Sequence, residues 1–171
     1  SGIGATQLPI ALLRFKGEEA AAPQSVSGIA RADLERSGHF RFIDTPLAID
    51  EAGSPGYPDL RTRGVDALVA GSLTKLADGR FDVRFRLHDV VRGTNLGGES
   101  FLAGEADLRY AAHRMADWIY EKLTGERGIF AARVLFVAKQ GLRYRLNVAD
   151  WDGENIVSPL TSTEPIMSPA W

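Results

Sequence analysis

Residues 65–88, VDALVAGSLTKLADGRFDVRFRLH, decide the fold. Residues 65–70 form a short apolar run of the length of a buried strand. Asp78-Gly79 is the strongest hairpin signal in the chain, because both residues tolerate the positive φ of a type I′ turn. After it Phe81, Val83, Phe85 and Leu87 alternate with Asp82, Arg84, Arg86 and His88, which predicts a strand with one buried and one wet face. A weaker strand pattern runs from about Asn95 to Leu102, after a turn near Arg92-Gly93.

Upstream, residues 8–15 are an almost uncharged apolar run and read as another buried strand. Residues 16–22 read as a small-residue connector. Pro23 suits the first turn of a helix, where its missing N–H costs nothing. Val26, Ile29, Ala30 and Leu34 follow at helical spacing, and Gly38 is free to take the left-handed conformation that stops the helix. Residues 39–44 alternate, with Phe40 and Phe42 on one face. Residues 45–58 hold three prolines and two glycines and read as a loop, with a short helix over 59–63. Downstream, 107–123 is the clearest helix. Leu108, Ala111, Ala112, Met115, Trp118, Ile119 and Leu123 make one apolar stripe, and Gly125 ends it. The fold class expected for residues 1–127 is therefore α/β, or α+β, with a mixed sheet and flanking helices.

From residue 128 the texture changes. Val134, Phe136 and Ala138 alternate, as do Leu142, Tyr144, Leu146 and Val148 after a turn near Gln140-Gly141. Asp152-Gly153 marks a further tight turn before a strand at Ile156-Val157. Three strands in a meander make a sheet of the size of a β-propeller blade. Val134, Phe136, Leu146 and Val148 need a cover that one such sheet does not supply, so the chain is expected to stop within a larger domain.

The 20 basic and 22 acidic residues are interspersed, for a formal net charge of −2, which argues against a nucleic-acid surface. No apolar run reaches the roughly 20 residues needed to span a bilayer. No charged leader with an apolar core opens the chain, so an export signal is expected to be absent or removed. Cysteine is absent, which rules out disulfides and thiolate chemistry.

The chemistry-bearing residues read as structural. His39, His88 and His113 share no metal-ligand spacing. His39 belongs at a helix exit, His88 on the polar face of a strand and His113 mid-helix beside Arg114, all in surface or capping roles. Asp33 and Glu35 lie two apart on a helix, face different ways, and read as a solvated face. There is no G-x-S-x-G elbow. Gly97-Gly98 reads as a bulge, and Gly53-Ser54-Pro55-Gly56 as a loop without the Lys-Ser/Thr of a phosphate site. Arg84, Arg86 and His88, about 7 Å apart on one strand face, are the best candidates for a charged site, with a solvated, Asp82-balanced face as the preferred reading. Residues 1–6 are small and polar and read as a frayed end.

Six blocks carry a resemblance: LPIALLRF (8–15), APQSVSGI (22–29), ADLERSGHF (32–40), GVDALVAG (64–71), EKLTG (121–125) and MSPAW (167–171). In this order they resemble the amino-terminal domain of the TolB family and the start of its propeller. The resemblance implies an α/β domain related in fold to anticodon-binding domains, followed over residues 128–171 by the first blade of a propeller that is incomplete here. It further implies a non-catalytic periplasmic adaptor of the Tol–Pal system, serving outer-membrane stability and cell division, without a cofactor. The implied partners are TolA, through an extreme amino-terminal segment, and Pal, through the propeller, with colicins and outer-membrane proteins as further candidates. The family's TolA-binding segment lies upstream of a stretch like Ser1, Gly2, Ile3 and Gly4, which are the candidate partner-binding residues here. Most of both binding surfaces is thus expected outside the chain. The rival readings are a hydrolase using a cleft beside the 45–58 loop and, more remotely, an RNA-binding domain.

Overall fold

The amino-terminal apolar run becomes β1 (Leu8–Leu12), an interior strand of a five-stranded mixed sheet. In this computed structural model, which describes residues 6–140, 143–150 and 157–162, the chain forms two units, Ser1–Gly128 and Ile129–Trp171. The sheet of the first unit also contains β2 (Phe40–Phe42), β3 (Ala67–Lys75), β4 (Phe81–Asp89) and β5 (Thr94–Ala103), in the order β2-β1-β3-β4-β5. β1 runs parallel to β2 and β3, while β3, β4 and β5 form an antiparallel meander. The first two connections carry helices: α1 (Val26–Arg36) between β1 and β2, and α2 (Tyr57–Thr62) between β2 and β3. α3 (Leu108–Thr124) follows β5 and packs along α1.

The alternation within the strands sorts the core into two layers. Ala11, Leu13, Leu68, Ala70 and Val90 share one face with Leu60 of α2, and Ile43, Leu47, Ile49 and Tyr57 of the connecting segment pack onto it. The opposite face carries Ile10, Val69, Leu73, Val83, Phe85 and Leu87, all buried. There Phe85 meets Trp118 of α3 edge to face, with ring centroids 5.3 Å apart.

Two local expectations are corrected. The β3–β4 hairpin forms, but its loop has three residues rather than the two of a type I′ turn. Gly79 N–H donates to Leu76 O (3.0 Å) and Leu76 N–H to Arg80 O (2.7 Å), with Gly79 at φ 88°. Asp78 accepts from Arg80 N–H (3.0 Å), which closes the turn around a glycine at its last position. Pro23 does not start α1. It follows a cis peptide bond from Ala22, and the helix begins at Val26 because Ser25 is the cap, its Oγ accepting from Gly28 N–H at 3.1 Å. The connector before it contains a 3₁₀ turn, Glu18–Ala21.

The glycine bulge is present. Leu87 opposes Gly97 and His88 opposes Asn95, so Leu96 is the extra residue, and Gly97 has φ 105°. Gly125 ends α3 at φ 78°, with its N–H on Glu121 O (2.8 Å).

The second unit holds an antiparallel three-stranded sheet of β6 (Arg133–Gln140), β7 (Arg143–Asp150) and β8 (Val157–Ser162), in sequence order. Gly141, Asp152-Gly153 and the 167–171 tail lie outside the described residues, as does the burial of Val134, Phe136, Leu146 and Val148. Among the described residues no helix is long and apolar enough to cross a membrane.

Candidate functional site

Ser1, Gly2, Ile3 and Gly4 lie outside the described residues. What the structure does display is a set of buried polar groups that sequence reading placed in solvent or passed over.

Glu18 is 1% exposed and sits at the amino end of α1. Its carboxylate accepts from Phe15 N–H (3.1 Å), Ser27 N–H (3.3 Å), Ser25 Oγ (2.7 Å) and Ser27 Oγ (2.8 Å). One internal anion thus ties the end of β1 to the first turn of α1, where the helix dipole favours negative charge. Arg14 and Arg31 line the shallow depression outside it, but the helix terminus is already occupied by the protein's own carboxylate.

Asp33 and His113 are corrected from surface residues to a buried pair. They are 0% and 1% exposed, and His113 Nδ1 lies 2.6 Å from Asp33 Oδ2. An ionised carboxylate only accepts, so Nδ1 is the donor whenever Asp33 carries its charge. Arg36 adds a contact to Asp33 Oδ1 at 3.4 Å. The pair joins α1 to α3 and is physically able to hold their register. Glu35 is exposed and bonds Arg31 instead, so the expected divergence of Asp33 and Glu35 holds while the solvated reading holds for Glu35 alone.

The basic row on β4 does not exist as a row. Arg84 and Arg86 are exposed, but His88 is 4% exposed under Tyr57, whose Oη stands 2.9 Å from His88 Nδ1. Alternation correctly puts all three on one face. α2 and the segment before it bury that face at the His88 end and leave Arg84 and Arg86 exposed. Burial, reinforced by the charge of Arg86, pushes the His88 imidazole below its ordinary pKa. Arg84 is held above the ordinary guanidinium value by its hydrogen bond to Asp82, so its charge is locally balanced. His39 is exposed just beyond α1, edge-on to Tyr120, as expected for a helix exit.

A cleft of about 520 Å³ does lie beside the 45–58 loop, lined by Lys16, Asp50, Glu51, Ser72, Asp82 and Arg84 among others. It brings carboxylates and a serine together without a histidine. His88, on the same sheet face, is engaged by Tyr57 instead. The nucleophile–base–orienter geometry of a hydrolase is not assembled there. Among the described residues no group of three His, Asp or Glu side chains has metal-site geometry.

Fold and site together define a mixed α/β domain, its buried charges committed to its own architecture, followed by an antiparallel β unit. The family model described as "TolB amino-terminal domain" matches residues 1–96. Over 172 aligned positions covering the whole chain, the sequence is 56% identical to the Tol-Pal system protein TolB of Albidiferax ferrireducens. It is equally 56% identical to the protein of that name from a Polaromonas species. The crystal structure of TolB from Acinetobacter baumannii matches with a TM-score of 0.79 at 32% identity, covering 97% of this chain and 41% of that one. The chain belongs to the TolB family of Tol–Pal system proteins. It spans 40% of the length of these curated relatives.

Proposed function

We propose that the chain is a periplasmic, non-catalytic adaptor portion of the Tol–Pal system that works by docking proteins and so contributes to outer-membrane stability and cell division. The observation carrying this reading is similarity to Tol-Pal TolB proteins along the whole chain at 56% identity. The fate of the buried charged groups supports it. Glu18, Asp33 and His113 are hydrogen-bonded within the fold. On this reading residues 1–127 form the α/β domain, and 128–171 supply the first blade of a propeller.

TolA is the proposed partner of the amino-terminal segment, of which Ser1, Gly2, Ile3 and Gly4 are the portion present. Pal is the proposed partner of the completed propeller, and colicins and outer-membrane proteins are candidates for the same surfaces. An extended segment of this kind gains affinity from backbone hydrogen bonds when it adds to a partner's sheet. If it also packs on its own protein, the two states need differ by only a few kcal/mol. Calorimetric titration with the carboxy-terminal domain of TolA tests the reading. A chain extended upstream of Ser1 by the family's segment should bind more tightly than the chain beginning at Ser1. Equal binding by the two refutes a role for that segment.

A further inference from the structure

We propose that the contact between Tyr57 and His88 is an acid-labile latch that holds α2 and the segment before it against the sheet.

α2 is six residues long and lies between two glycines in left-handed backbone, Gly56 (φ 66°) and Gly64 (φ 79°). A Cβ at either position would meet nothing within 4 Å, so these glycines serve the turn of the chain rather than close packing. Three side chains anchor the helix to the sheet. Leu60, 1% exposed, enters the apolar cluster. Arg61 Nε donates to Val90 O at 2.9 Å. Tyr57 Oη meets His88 Nδ1 at 2.9 Å, with the two rings edge to face. A short element on so few anchors belongs to the part of a fold that opens locally before the rest.

His88 is the anchor that titrates. Its Nε2 is buried and has no hydrogen-bond partner among the described residues. Tyr57 on α2 stands against it, with Leu68 opposite on β3 and Asn95 opposite on β5; Arg86 and Asp89 flank it along β4, and Arg61 of α2 lies 6.0 Å from the Tyr57 ring. Of the two cations, Arg86 acts on the ring. Asp89, the one carboxylate, accepts from Arg92 N–H rather than from the imidazole. A neutral ring satisfies Tyr57 and leaves one nitrogen without a partner. A protonated ring would leave a charged N–H buried and unpaired, which costs far more. Swinging α2 outward takes Tyr57 off Nδ1 and opens that nitrogen to water. The closed state therefore prefers the neutral ring and the open state takes up the proton first. Above the ordinary histidine value of about 6.5 the latch is at full strength, and it weakens as pH falls from there through the depressed pKa of the closed state.

Amide hydrogen exchange of the full 171-residue chain between about pH 7.5 and about pH 5.5, corrected for intrinsic exchange, tests this. The opening constant of the α2 amides should rise as pH falls, by at most about tenfold per pH unit, while that of α3 stays level. H88Q should remove the rise. The latch is overturned by a flat α2 response, by an equal rise in α3, or by an unchanged slope in H88Q. Should H88Q not fold, NMR titration of the His88 ring in the unaltered chain decides. In the closed state it must titrate below the ordinary histidine value of about 6.5, and a ring that titrates at or above that value overturns the latch.

Discussion

Glu18→Ala removes one acceptor from four donors at the junction of β1 and α1. The two serine hydroxyls lose least, because they rotate and already stand 3.5 Å apart. The amides of Phe15 and Ser27 have no such freedom. Each is left buried without a partner at a cost of about 1–3 kcal/mol. Losing the negative charge at the start of α1 adds about 0.5–1 kcal/mol. The nearby Arg14 is 75% exposed, so its ion pair adds little. The total is about 2.5–7 kcal/mol, a large part of the roughly 5–15 kcal/mol that holds a domain of this size. Glu18→Gln keeps the shape and one carbonyl acceptor but turns an NH₂ toward a donor, and should cost about half as much. Urea unfolding followed by helical circular dichroism reads the effect, because α1, α2 and α3 all lie in the first unit. A loss below about 1 kcal/mol for Glu18→Ala would refute the view that this carboxylate staples helix to strand.

Breaking the Asp33–His113 pair by Asp33→Ala or His113→Ala should cost about 1–3 kcal/mol each, because the buried hydrogen bond between α1 and α3 is lost. The double variant should cost less than the sum, by about 1–3 kcal/mol in a urea double-mutant cycle, and strict additivity would deny the coupling. His88 carries a depressed pKa in the folded state, so its contribution is whole above about pH 6.5 and is lost as pH falls through the folded value. The urea midpoint should therefore drop on acidification more in the unaltered chain than in His88→Gln. Gly98→Ala places a Cβ 2.0 Å from Phe85 O and should cost at least about 2 kcal/mol, visible as a lowered Tm. Gly38→Ala, at φ 76° with open space around it, should cost only about 1 kcal/mol.

Much of the architecture was legible from period alone. The two-residue alternation of Phe81, Val83, Phe85 and Leu87 located β4, and the 3.6-residue stripe of Leu108, Ala112, Met115 and Ile119 located α3, because each pattern suits one backbone geometry. Asp33 was legible in principle. It stands seven residues after Val26 and three after Ala30, on the stripe that α1 buries, and only its charge argued for solvent. His113 carried a fainter signal. Ala112 and Ala116 beside it are small enough for α1 to approach, which widens the buried arc of α3 beyond its large apolar residues. Glu18 carried none, since its four donors come from segments whose meeting no local pattern announces.

His88 shows where the division falls. By itself the chain of residues determined which side of β4 each side chain occupies, because backbone pleating alternates them whatever lies nearby. Only the tertiary structure decided that the polar side of that strand is dry at one end and wet at the other. Tyr57 and Leu60 reach that end, whereas Arg84 and Arg86 stand exposed further along. Local sequence sets direction and periodicity through the backbone. Burial depends on what else arrives, and for His88, Glu18 and Asp33 the arriving groups come from other elements of the fold.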